Sequence, residues 1–156
     1  MKTLDKNILL SSNEEETKAI ASRIGSKLSK GTVIALTGEL GAGKTTFSQG
    51  LAIGLGVEDY VDSPTFSILK VYEGRLPLYH MDVYRLEENS IEDLGLDEYL
   101  YGDGVALVEW PSRIQSLLPK DTIFISIEVL PSGERAISIG SPALYKEISH
   151  NEYFSG

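Results

Sequence analysis

Gly38-Glu39-Leu40-Gly41-Ala42-Gly43-Lys44-Thr45 constrains this chain more than any other segment, because it has the G-x-x-x-x-G-K-[ST] spacing of a loop that wraps nucleotide phosphates. Such a loop needs a buried strand before it and a helix after it. Thr32-Val33-Ile34-Ala35-Leu36 is a short apolar, β-branched run suited to that strand, and Lys44 to Leu55 continues as a helix with Phe47, Leu51 and Leu55 at i, i+4, i+8. Gly38, Gly41 and Gly43 open backbone conformations closed to residues bearing a Cβ, so successive N–H groups can converge on phosphate oxygens. The helix directs the positive end of its dipole at the same point. Lys44 would reach the β- and γ-phosphates as a point charge, and the Thr45 hydroxyl would coordinate a Mg²⁺ that keeps several of its waters. A glycine-rich turn with a solvated lysine is the competing reading, and it leaves the flanking strand and helix unexplained.

At 156 residues the chain is the usual size of one domain, expected here to span 1–156, and it can bury a core without disulfide or metal staples. With no cysteine there is no disulfide framework, no thiol nucleophile and no cysteine zinc site, which fits a reducing cytosol. The start Met1-Lys2-Thr3-Leu4-Asp5-Lys6 carries an acid and lacks an apolar signal core, and no stretch approaches the ~18 apolar residues of a membrane span, so the chain reads as soluble, unprocessed and cytoplasmic. A formal charge of −9 disfavours direct binding to RNA or DNA, which rests on basic surface. Acidic surface solubilises, and it also suits docking on a basic protein.

Lys2 to Leu10 predicts a first strand, and Ser12 with Glu15 has the spacing of a capping box opening a helix whose buried stripe is Ile20, Ile24 and Leu28. After the loop helix, Gly54 to Val61 is turn-rich and Ser63-Pro64-Thr65-Phe66 leads into an extended Ser67 to Tyr72. Glu73-Gly74-Arg75 reads as a hairpin turn into Leu76 to Met81. Ser90-Ile91-Glu92-Asp93 has the acidic first turn of a short helix, and Gly102-Asp103-Gly104 stops that region. Val105-Ala106-Leu107-Val108 suits the middle of a parallel sheet covered on both faces. Thr122 to Leu130 and Arg135 to Ser141 form a late hairpin, and 142–156 is weakly patterned, a short helix or a frayed end. The expected fold is α/β: a single-domain P-loop NTPase-like fold with a mixed, mostly parallel central sheet flanked by helices.

Hydrolysis needs more than a phosphate cradle. Glu109, directly after the Val105–Val108 run, stands where such enzymes place the acid that holds Mg²⁺ through its waters or orients the attacking one, although aspartate is more usual there. Were Leu76 to Met81 a strand beside the loop strand, Asp82 would emerge at the carboxyl edge of the sheet, where open α/β sheets bind ligands. His80 alternates in phase with Asp82, and its two readings are a catalytic group on that face or a hydrogen-bonded structural residue. Arg85 either stabilises phosphate charge or forms an exposed salt bridge. Thr65, presented by Pro64, stands where nucleotide switches sense the γ-phosphate, or it belongs to an ordinary proline turn. Trp110 reads locally as a core or interface aromatic rather than a base-stacking platform.

Taken together, Gly38 to Thr46, Ser63-Pro64-Thr65-Phe66, His80-Met81-Asp82-Val83-Tyr84-Arg85-Leu86 and Glu109-Trp110-Pro111 resemble the bacterial TsaE (YjeE) family, small P-loop ATPases needed for threonylcarbamoyladenosine formation on tRNA. The likeness runs from the Glu15-Glu16-Thr17 helix start to the late hairpin. It implies that Leu40, Gly41, Ala42, Gly43, Lys44, Thr45 and Thr46 wrap the phosphates of ATP, that Thr45 and Glu109 hold Mg²⁺, and that Asp82 is required for hydrolysis. Thr65 would lie in a switch-like segment, Trp110 close to the nucleotide, and Glu14 and Arg135 toward the adenine end. The resemblance also implies an accessory ATPase that docks on the transferase subunit TsaD, itself paired with TsaB, and resets that complex, touching tRNA only through its partners. Two other classes stay open. A small-molecule or nucleoside kinase shares the loop but needs a lid and acceptor domain for which the chain has little room; a GTP-binding switch would carry an N-K-x-D base-reading segment, which the sequence lacks.

Overall fold

Alternation of side chains along short, β-branched strands decides the layering of this molecule. The computed structural model describes residues 7–39, 41–61, 68–84 and 95–155, the last six by their backbone alone. In chain order the elements are β1 (Ile8–Ser11), α1 (Glu14–Lys27), β2 (Val33–Gly38), α2 (Lys44–Gly54), β3 (Leu69–Tyr72), β4 (Leu78–Asp82), α3 (Asp97–Leu100), β5 (Val105–Glu109), a 3₁₀ segment (Pro111–Leu117), β6 (Ile123–Val129), β7 (Arg135–Ile139) and α4 (Pro142–Ser155). They form one sheet in the order β1-β7-β6-β2-β5-β4-β3. The contiguous strands β6, β2, β5 and β4 are parallel, and antiparallel strands extend the sheet at both edges.

Ile34, Leu36, Leu78, Val105 and Leu107 point to the face covered by α1 and α2, against Ile20, Ile24, Phe47 and Leu51. Val33, Met81, Ala106 and Val108 point to the other face, against Leu96, Leu100 and Ile114. Each fully buried side chain of this size contributes about 1.5–3 kcal/mol of transfer free energy. The two helices on the first face touch through their backbones: a Cβ on Gly50 would collide with the Lys18 carbonyl, and one on Gly54 with that of Ser22. That close approach fixes α2, and therefore the loop at its N-terminus. Arg75 tightens the same corner, donating to the carbonyls of Gly25 (2.9 Å) and Leu28 (3.3 Å) at the negative end of α1.

Two expectations need correction. The β4 strand is not beside the loop strand, because β5 lies between them and pairs in parallel with both. The N-cap of α1 is Asn13 rather than Ser12: Asn13 Oδ1 accepts from the Glu16 amide (2.8 Å), and Glu16, not Glu15, reaches back to accept from the Ser12 amide (2.7 Å). Either polar residue can cap, and the buried Ser11–Thr17 hydroxyl pair at 2.6 Å, with Ser11 Oγ donating to the Asn13 carbonyl, settles the register one residue later. Of the two readings of 142–156, the helix is the one found: α4 spans Pro142–Ser155 and buries Leu144 and Ile148 on the α1 side. Among the described residues no helix is long and apolar enough to cross a membrane. The segments carrying Thr65, the short helix expected at Ser90, and Arg85 with Leu86 lie outside the described residues.

Candidate functional site

The loop between β2 and α2 takes its shape from backbone conformation. Gly41 (φ +84°) and Gly43 (φ +109°) are both left-handed, and a Cβ built on either would project into open space with nothing within 4 Å. The barrier to other residues there is conformational, and the space a side chain would take is left to a ligand. A bond from the Ala42 amide to the Glu39 carbonyl (2.9 Å) closes the turn, and Phe47 N–H to Gly43 C=O (2.9 Å) starts the helix. Gly43 is the N-cap and brings no side chain, so the first-turn amides of α2 have no side-chain cap. Leu40 lies outside the described residues. Arg135, at the start of β7, braces the loop: its guanidinium donates to the carbonyls of Ala42 (3.1 Å), Gly41 (3.3 Å) and Gly133 (2.7 Å).

A second group of polar residues stands at the C-terminal ends of the parallel strands. In the β4–β5 register Asp82 pairs with Glu109 and His80 with Leu107, and Leu36 of the loop strand pairs with Glu109 from the other side. Period-two alternation puts His80, Asp82 and Glu109 on the face that α1 and α2 cover. Glu109 is almost completely buried at 4% exposure, and the fully buried His80 donates from Nε2 to its Oε2 at 2.8 Å. Asp82 is half-buried and accepts from the Tyr84 amide through Oδ1 (3.1 Å).

Two clefts flank the loop. One is polar, lined by Ser12, Asn13, Glu14, Thr46 and Arg135 beside Gly41 and Gly43, so Glu14 and Arg135 come together across it. The other, of about 320 Å³, is walled by Trp110, Pro111, Leu118 and Phe124 and reaches Thr37, Gly38 and Lys44. Trp110 is no core residue: it is 38% exposed and left-handed (φ +62°), a strained conformation for a bulky residue. Its ring sits 4.6 Å from the Lys44 ammonium and 4.7 Å from the ring of Tyr84, over which Arg113 lies at 5.6 Å. Sequence reasoning had given Tyr84, Arg113 and Phe124 no role. The Tyr84 position within the His80–Leu86 block was the one signal available.

The donors suit a hard cation. Thr45 lies in the first turn of α2 and Glu109 ends β5, a hydroxyl and a carboxylate, the oxygen ligands Mg²⁺ takes while keeping waters and substrate phosphates. Among the described residues no group of three or more His, Cys, Asp or Glu forms a separate metal cage.

Comparison with known proteins identifies the lineage. The family model described as threonylcarbamoyl adenosine biosynthesis protein TsaE matches residues 11–137. The tRNA threonylcarbamoyladenosine biosynthesis protein TsaE of Bacillus subtilis is 54% identical over 81% of this chain and 80% of its own length, and that of Treponema pallidum is 46% identical over 83% and 97%. A crystal structure of Bacillus subtilis YdiB superposes with a TM-score of 0.78 at 42% identity, covering 93% of this chain and 95% of that one. With a family match that takes in the loop, both acidic strand ends and the Arg135 brace, the chain belongs to the TsaE family.

Proposed function

We propose that this chain is a Mg²⁺-dependent ATPase of the cytoplasm that serves threonylcarbamoyladenosine formation on tRNA, the process named in the descriptions of its relatives. The observation that carries the reading is the left-handed pair Gly41 and Gly43, opening uncapped amides and Lys44 toward a buried strand-end carboxylate. The amides and the α2 dipole bind the triphosphate, and the Lys44 ammonium leaves the Trp110 ring for the β- and γ-phosphates. Thr45 and Glu109 are the residues that would hold Mg²⁺, which when bound supplies neutralisation of charge on the phosphate oxygens. Asp82, held by its bond to the Tyr84 amide, orients the attacking water. The polar cleft with Glu14 and Arg135 receives the adenine end.

In this reading the chain does not modify tRNA itself. It docks on a TsaD-like subunit paired with a TsaB-like one and resets them by hydrolysis, and its net charge of −9 is consistent with leaving tRNA to those partners. Steady-state hydrolysis measured with and without reconstituted TsaB and TsaD tests the proposal. Slow turnover alone and stimulation by the pair is the expected result, and equal turnover in both would contradict the coupling.

A further inference from the structure

His80 is fully buried on a sheet face whose neighbouring interior positions are Leu78, Leu107, Leu36 and Ile34. A core filler at this position would be apolar, because an imidazole brings two polar nitrogens into the buried interior. One of them is used: Nε2 lies 2.8 Å from Glu109 Oε2. Among the described residues the other, Nδ1, has no hydrogen-bond partner. Donation to a carboxylate requires the proton on Nε2, and in the neutral imidazole that leaves Nδ1 a bare acceptor. The burial therefore has a single visible return, the hold on Glu109. That hold reaches across strands, since Glu109 pairs with Asp82 and His80 is its diagonal neighbour two residues earlier.

Glutamate at this strand end has one more rotatable bond than the aspartate more usual there, and one more way for its carboxylate to miss a target. We propose that His80 is a positioning residue, locking the Glu109 side chain so that its second oxygen is presented to the nucleotide-bound cation in one orientation. The inference rests on the assignment of Glu109 under the proposed function and deepens it. Groups that orient metal-ligating carboxylates in this way change metal affinity about 10–100-fold when removed.

The test needs no turnover. Nucleotide binding is titrated against Mg²⁺ in wild-type protein, His80→Gln, His80→Leu and Glu109→Gln, with binding in EDTA as the reference. Glutamine keeps a donor near the place of Nε2, so His80→Gln should retain close to the wild-type Mg²⁺ requirement. His80→Leu should raise it about tenfold while leaving affinity in EDTA unchanged. Should His80→Leu not fold, His80→Asn, whose amide is too short to reach Oε2, carries the same prediction. Imidazole ¹H–¹⁵N spectra give an independent readout, because the chain has only His80 and His150: His80 should show the Nε2–H tautomer with a slowly exchanging proton that is lost in Glu109→Ala. An unchanged Mg²⁺ requirement in His80→Leu or His80→Asn, beside a raised one in Glu109→Gln, would overturn the role of His80 alone. So would an Nδ1–H tautomer. A wild-type protein whose nucleotide binding ignores Mg²⁺ would overturn the Glu109 assignment and this one with it.

Discussion

The glycine loop before α2 and the polar strand ends of β4 and β5 are organised by opposite means. In the loop the work falls to backbone: Gly41 and Gly43 adopt left-handed conformations, Gly43 caps α2 without a side chain, and Arg135 donates to the carbonyls of Gly41 and Ala42. At the strand edge side chains do it, with a buried imidazole fixing a buried carboxylate and a backbone amide fixing Asp82. The loop should accordingly respond to any added Cβ and tolerate little else, whereas the edge should respond to loss of a particular donor or acceptor with its backbone unchanged.

The largest effect should come from the side chain the loop does use. Lys44→Ala removes the ammonium proposed to meet the phosphates, and ATP affinity should fall by about two orders of magnitude or more in equilibrium titration, as for other charged contacts at a developing or full negative charge. Glu109→Ala comes next. It should cut Mg²⁺-dependent turnover by about 10²-fold while nucleotide binding in EDTA stays near wild type, and wild-type turnover in this variant would remove the residue's assigned role. Gly43→Ala tests the backbone side of the comparison. Forcing alanine to a φ of +109° should cost roughly 1–2 kcal/mol, read as about a tenfold loss of ATP affinity equal with and without Mg²⁺.

Arg135→Met should be the mildest, about three- to tenfold on affinity, as for loss of an ordinary intramolecular hydrogen bond worth about 0.5–1.5 kcal/mol. Its specificity sharpens the contrast. A brace on the loop weakens ATP and GTP alike, whereas a residue reading adenine weakens ATP alone.

What the sequence announced and what it hid divide along the same line. The strand–loop–helix unit was legible because its spacing is local and its glycines have one conformational reason, and the late hairpin was legible from two apolar runs around Pro131-Ser132-Gly133-Glu134. The position of β4 was not, since the insertion of β5 between it and β2 is decided by packing across seventy residues of chain, on the order of the non-local pairings that propensity never encodes. The His80–Glu109 pair was invisible for the same reason. His80 could be seen to run in phase with Asp82, but the 2.8 Å contact exists only once the parallel register sets Asp82 against Glu109. The core reading of Trp110 failed because local sequence does not reveal that the chain turns left-handed immediately after β5 and leaves the ring 38% exposed beside Lys44. The tail helix α4 was obscured by weak periodicity: Leu144 and Ile148 are four residues apart and supply the described buried contacts that hold it to α1.

The most direct measurement is a crystal structure with Mg²⁺ and a non-hydrolysable ATP analogue. The triphosphate should lie on the amides of 41–45, with the Lys44 ammonium moved from the Trp110 ring to the phosphates and the cation between Thr45 and Glu109, His80 still bonded to the carboxylate. A triphosphate bound elsewhere, with the loop empty and Lys44 still over Trp110, would contradict this assignment.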